Sequence, residues 1–196
     1  MIRILKIAGA LCFIFLLSCE QETPREYAYY PVDSLIHAQV KLLNASEAVL
    51  HKKAEIDGVE DETSFTPKDS TAWANELDIF FELSLINNPV HTGKYVVESG
   101  LKDPNSNLSI RSYTGIDVLP VVYLKLFYLD DLSNIRRIEA LYREENVLLK
   151  GSRLLILEFQ KIKDKIVLTA YSIEGSQKMF LGDSVKFSIK GTITLL

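Results

Sequence analysis

Hydrophobic positions change period along this chain. Over residues 33–55, Ile36, Val40, Leu43, Leu50 and Ala54 recur at helical spacing, which predicts a helix with Asp33 or Ser34 as N-cap and Gly58 as its stop. Residues 57–70 are polar and acidic, contain Pro67, and read as a loop. A second helix is expected over 71–86, capped by Asp69 or Ser70. There Trp73, Leu77, Phe80 and Ser84 share a face, and Ile79, Phe81 and Leu83 widen the apolar arc. Asn87-Asn88-Pro89 ends it.

From about Gly93 onward the period is two. Strands are expected over 94–100, 108–113, 121–129, 135–144, 153–161, 166–181 and 184–195. The segment 121–129 is apolar on both faces apart from Lys125, which suits a central strand. In the last strand Val185, Phe187, Ile189, Gly191 and Ile193 alternate with Lys186, Ser188, Lys190, Thr192 and Thr194. A two-residue turn at Gly182-Asp183 would mix the two faces of the final hairpin, so a bulge at Glu174-Gly175 is expected to restore them. The fold class that follows is α+β: two N-terminal helices packed on a curved, mainly antiparallel sheet of about seven strands.

The amino terminus follows another logic. Arg3 and Lys6 precede an unbroken apolar stretch over 7–17, too short for the roughly 20 residues a bilayer span needs. Leu16-Leu17-Ser18-Cys19 comes next. Positive region, short apolar core, small residue and cysteine, in that order, resemble a bacterial lipoprotein precursor with a type II signal peptide and lipobox. The resemblance covers about 19 residues and implies cleavage before Cys19, with lipid carried on that cysteine. Competing readings are an ordinary cysteine after a conventional signal, or an uncleaved apolar anchor. The implied organisation is a signal peptide over 1–18, a lipidated anchor and tether over 19–30, and one domain over 31–196. Glu20 and Glu22 stand close behind the anchor, either as a tag for export to the outer cell surface or as a polar tether. The implied address is the cell envelope, on either face of the outer membrane.

Composition narrows the partners. An apolar fraction of 47% supports a core and argues against disorder. The net charge is −4, and loss of 1–18 removes Arg3 and Lys6 to leave −6, which disfavours nucleic acid. Cys12 falls in the discarded segment, so the mature chain has no thiol besides Cys19 and no cysteine chemistry.

Catalytic signatures are sparse. On the expected first helix His37 and His51 stand fourteen residues apart, about 21 Å along the axis, too far to share a metal ion; His91 lies in a loop. Gly151, Gly175 and Gly182 fall among strands and turns, so neither a nucleophile elbow nor a phosphate loop is indicated. The acidic run Glu55, Asp57, Glu60, Asp61 and Glu62 lacks calcium-loop spacing. Glu76 stands out because it projects inside the apolar arc of the second helix. It stands at the edge of the arc, or is paired with a sheet arginine (Arg136, Arg137, Arg143 or Arg153), or is a general acid. Tyr27, Tyr29 and Tyr30 are expected to pin the chain where it joins the domain.

The chain resembles short exported lipoproteins without an assigned activity. Three roles compete: a non-enzymatic binding or interaction module with no cofactor, a carrier of a lipid-like apolar ligand between helices and sheet, and a hydrolase. The expected partners are the membrane, through the anchor, and a protein or apolar ligand. A filled layer between helices and sheet would speak against the carrier, and a hydrolase would need convergent ionisable groups in a cleft.

Overall fold

A computed structural model describes residues 27–179 and 182–195. The expected signal peptide and Cys19 lie outside the described residues.

Helix α1, Val32–Ala45, buries Val32, Ile36, Gln39, Val40 and Leu43 along one stripe. It stops well before residue 55. The Ser46 hydroxyl donates to the carbonyls of Leu42 and Leu43, and Glu47 turns the chain at φ +47°. Leu50, Lys52, Ala54 and Ile56 then share one face of β1, Val49–Ile56. The two residues Asp57 and Gly58, both at positive φ, make the primed turn that suits a hairpin. They lead into β2, Val59–Phe65, which pairs antiparallel with β1. The stretch expected to be a loop is therefore half a hairpin.

The second helical segment is broken. Asp69 caps it, accepting from the Ala72 amide at 2.8 Å. It continues as α2 (Ser70–Glu76), α3 (Asp78–Phe81) and a 3₁₀ turn over Glu82–Asn87, bent at Leu77.

Seven strands follow: β3 Tyr95–Lys102, β4 Ser109–Gly115, β5 Val121–Tyr128, β6 Ile135–Glu145, β7 Leu149–Ile162, β8 Lys165–Met179 and β9 Ser184–Thr194. All nine strands form one antiparallel sheet in the order β2-β1-β9-β8-β7-β6-β5-β4-β3. The expected class of two N-terminal helices on about seven strands is overturned. The helices are short, the β1–β2 hairpin separates them, and the first strand closes against the last.

One face of this sheet carries the core. Ala54, Ile189, Ile173, Leu155, Ala140 and Leu124 stand side by side from β1 through β9, β8, β7 and β6 to β5. Beside them runs the row Lys52, Gly191, Tyr171, Leu157, Ile138 and Leu126. Trp73, Leu77, Phe80, Leu83 and Ile86 press onto these rows and are fully or almost fully buried. The other face is mixed: the Arg137 guanidinium lies 3.8 Å from the Phe127 ring centre, and Lys125 lies over Tyr123.

The final hairpin keeps its faces by a different device from the one expected. Pairing runs without a break from Ala170↔Thr192 to Lys178↔Ser184, through Gly175. The bulge at Glu174-Gly175 is therefore absent. Five residues instead of two separate Lys178 from Ser184, which moves the register by three, an odd number, and sets Tyr171 opposite Gly191. Between β7 and β8 the register does shift, leaving Thr169 unpaired between Glu158↔Ala170 and Phe159↔Leu168. Gln39 of α1 holds that spot: its Nε2 donates to Ile166 O at 3.1 Å, and its Oε1 accepts from the Leu168 amide at 2.8 Å.

Candidate functional site

Polar groups meet the core face along the edge of the helical layer. Glu76, the last residue of α2, reaches toward the sheet between Lys52 of β1 and Tyr171 of β8. The Lys52 ammonium donates to its Oε2 at 2.7 Å, and the Tyr171 hydroxyl donates to the same oxygen at 3.5 Å. Both members of the ion pair are more than two-thirds shielded from solvent. The partner comes from β1, a strand not expected from sequence, and is not one of the sheet arginines. Burial, then the neighbouring Glu76 charge, pushes the Tyr171 hydroxyl well above its ordinary range.

A second cluster lies toward β6. Tyr142 donates to Glu82 Oε2 at 3.5 Å, and the Arg153 guanidinium stands 5.9 Å from the Tyr142 ring centre. Arg153 also donates to Glu144 Oε2 and Gln177 Oε1, each at 3.4 Å. In this cluster too, cation, carboxylate and phenol satisfy one another. Ile173 and Leu155, both buried, stand in the neighbouring row of the sheet.

The space among Ile36, Leu77, Phe80, Leu157, Phe159 and Leu168 is too narrow for a water molecule.

The histidines are separate. His37 on α1 packs its ring 4.7 Å from that of Phe81. His51 is on β1 and not on the first helix, with Nδ1 2.7 Å from Ser64 Oγ. His91 Nδ1 lies 2.8 Å from Leu85 O. Among the described residues no group of three His, Cys, Asp or Glu could hold a metal ion. The acidic run is split between β1, the turn and edge strand β2, where Lys53 pairs with Glu60 at 2.8 Å.

The tyrosine neck is built as the sequence suggests. Asn87 accepts from the Tyr29 amide at 2.8 Å and donates to Tyr30 O at 3.1 Å. The Tyr29 hydroxyl accepts from the Gly93 amide, and its ring meets Tyr95 and Tyr113 edge-on at 5.3 and 5.7 Å. The neck thus joins α1 to the start of β3. Sequence reasoning missed Lys52 and Gln39, because both contacts span the fold. The Asp57-Gly58 pair was the local signal that could have exposed β1.

Among the described residues no helix is long and apolar enough to cross a membrane. No family model, curated protein or solved structure matches the chain.

Proposed function

We propose that the protein is an exported lipoprotein, held on the outer membrane through Cys19, and that it acts by binding and not by turnover. The anchor rests on the order of Arg3, Lys6, the apolar run and Leu16-Leu17-Ser18-Cys19. The observation that carries binding over catalysis is the contact between Lys52 and Glu76. The carboxylate with the strongest claim to be a general acid is committed to an ammonium at 2.7 Å and serves the packing. A carrier would need a chamber under the helices, and the tight fit of Phe80 and Leu77 against Leu157 and Leu168 favours the binding module.

Mass spectrometry of the mature amino terminus tests the anchor. A diacylated or triacylated Cys19 is expected, and an unmodified Cys19 sinks the reading. Replacing Cys19→Ser is expected to leave the protein held less firmly in the membrane fraction of the native host.

A further inference from the structure

The two ends of the sheet are made of different residues. At one end the turns are built from Asp103, Asn105, Ser106, Asp131, Ser133 and Asp164. At the other end Asp57 and Asn146 also shape the turns, but the connections carry Val59, Ile116, Val118, Val147, Leu148 and Met179, all strongly exposed. Hydrogen bonds string those connections along one edge. Ile116 N donates to Lys94 O, Arg143 N to Pro120 O, and Asp57 N to Lys186 O, while Leu149 pairs with Met179.

The foremost group is formed by two neighbouring tips. Val147 is 86% exposed, Leu148 68% and Met179 61%, and they flank a shallow hollow between β6–β7 and β8–β9. Three large apolar side chains turned to water at adjacent tips mark a surface that meets something apolar. One residue behind them Lys150 and Lys178 face each other across the two strands. Like charges directly opposite repel, and Glu145 on Lys150 offsets only one of them. Apolar tips with cations one step behind suit the boundary between acyl chains and lipid phosphates.

The chain arrives at this same end. Tyr29 and Tyr30 are held at Asn87 and Gly93, next to Lys94. Twenty-six residues precede Tyr27, and from Cys19 to Tyr27 the reach is at most about 28 Å of extended chain.

We infer that Val147, Leu148 and Met179 dip into the surface of a lipid bilayer, with Lys150 and Lys178 at the phosphates, so that the domain stands tips-down on a membrane. The match between this end and the tether rests on the lipoprotein reading; the insertion itself does not.

The full chain is reconstituted in vesicles of three parts phosphatidylethanolamine to one part phosphatidylglycerol. An environment-sensitive fluorophore is attached at Leu148→Cys or, as control, at Asn105→Cys, with Cys12→Ser in both. The expected result is blue-shifted emission at 148, quenched at least twofold by spin-labelled lipids, with no such quenching at 105. Equal water exposure at the two positions overturns the proposal. So does a shielded probe at 148 that lipid spin labels do not quench and that responds to protein concentration, since the occupant would then be a second copy. A second arm separates the two readings by using the Cys12→Ser, Cys19→Ser chain, which cannot be acylated. Its binding to the same vesicles is expected to fall at least tenfold when Val147, Leu148 and Met179 are all changed to Asp, with the buried Trp73 emission unchanged. An unchanged bound fraction overturns tip insertion and leaves the anchor standing. An unmodified Cys19 with retained quenching at 148 does the reverse.

Discussion

The ring of Tyr171 lies where a side chain at Gly191 would stand. A methyl group at Gly191 would sit 2.2 Å from Tyr171 Cε1. The ring is also fixed from above, meeting Phe80 edge-on at 5.7 Å. A glycine that would weaken a strand elsewhere is here covered by its cross-strand neighbour.

Gly191→Ala is therefore expected to destabilise the domain by about 1–3 kcal/mol through overpacking. In a Tyr171→Leu background the same change should cost at least about 0.5 kcal/mol less, because the clash partner has gone. Denaturant titrations followed by Trp73 fluorescence measure both. Strict additivity of the two changes contradicts the contact.

Gln39 closes the backbone of β8 where Thr169 leaves the ladder. Gln39→Leu keeps the volume and strands the Leu168 amide and the Ile166 carbonyl in a buried place, at a cost of about 2 kcal/mol or more. Hydrogen exchange should show the Leu168 amide losing protection before its neighbours in β7. Unchanged protection there rules out the clamp.

The pairing of Lys52 with Glu76 has a modest expected value because both groups keep some contact with water. A double-mutant cycle with Lys52→Met and Glu76→Gln should return a coupling of about 0.5–1 kcal/mol at low salt, shrinking toward zero in 1 M NaCl. A Glu76→Gln protein that remains folded yet loses a measurable turnover shown by the parent protein would reinstate Glu76 as an acid.

Three tyrosines set the alkaline limit. Burial, then Tyr29 nearby, raises the Tyr95 hydroxyl to about 12; burial, then Glu139, raises Tyr123 to about 12; Tyr171 is also raised. An unfolded tyrosine ionises near 10, so the fold favours the protonated phenols. Their contribution is complete below pH 10 and is lost as pH rises from 10 through about 12. Absorbance at 295 nm should show a late group of tyrosines ionising together with unfolding. If all nine tyrosines ionise near pH 10 with the fold intact, the burial assigned to these three is wrong.

Most of the seven strands after Gly93 were legible because they alternate over enough residues to fix their period, and Val121–Tyr128 because it is a short apolar run covered on both faces. Asp69 as a cap and Asn87-Asn88-Pro89 as a stop were legible for the same reason: they are local chemistry. The first hairpin was hidden by an arithmetic coincidence. Leu50 and Ala54 are four apart, a spacing shared by one helical turn and two strand repeats, so the pattern of α1 continues unbroken through β1. Strand β2 has no pattern to read, since all its residues from Val59 to Phe65 are exposed. Gly58, expected as a helix stop, is the second residue of the Asp57-Gly58 turn. In the candidate site Glu76 could be picked out as a carboxylate in an apolar arc. Its partner could not, because only the β1–β9 pairing brings Lys52 within reach.

That pairing also orders events during synthesis. Val49 lies against Thr194, so the first strand made waits for nearly the last residues before it gains its inner neighbour. Meanwhile the outer strand of the hairpin, with Glu60, Asp61 and Glu62, offers a charged edge that is a poor template for stray strands, while the β1 edge stays open. Long-range closure of this kind is slow. In a chain exported as proposed above, the sheet would be completed only once the residues around Thr194 had crossed to the far side.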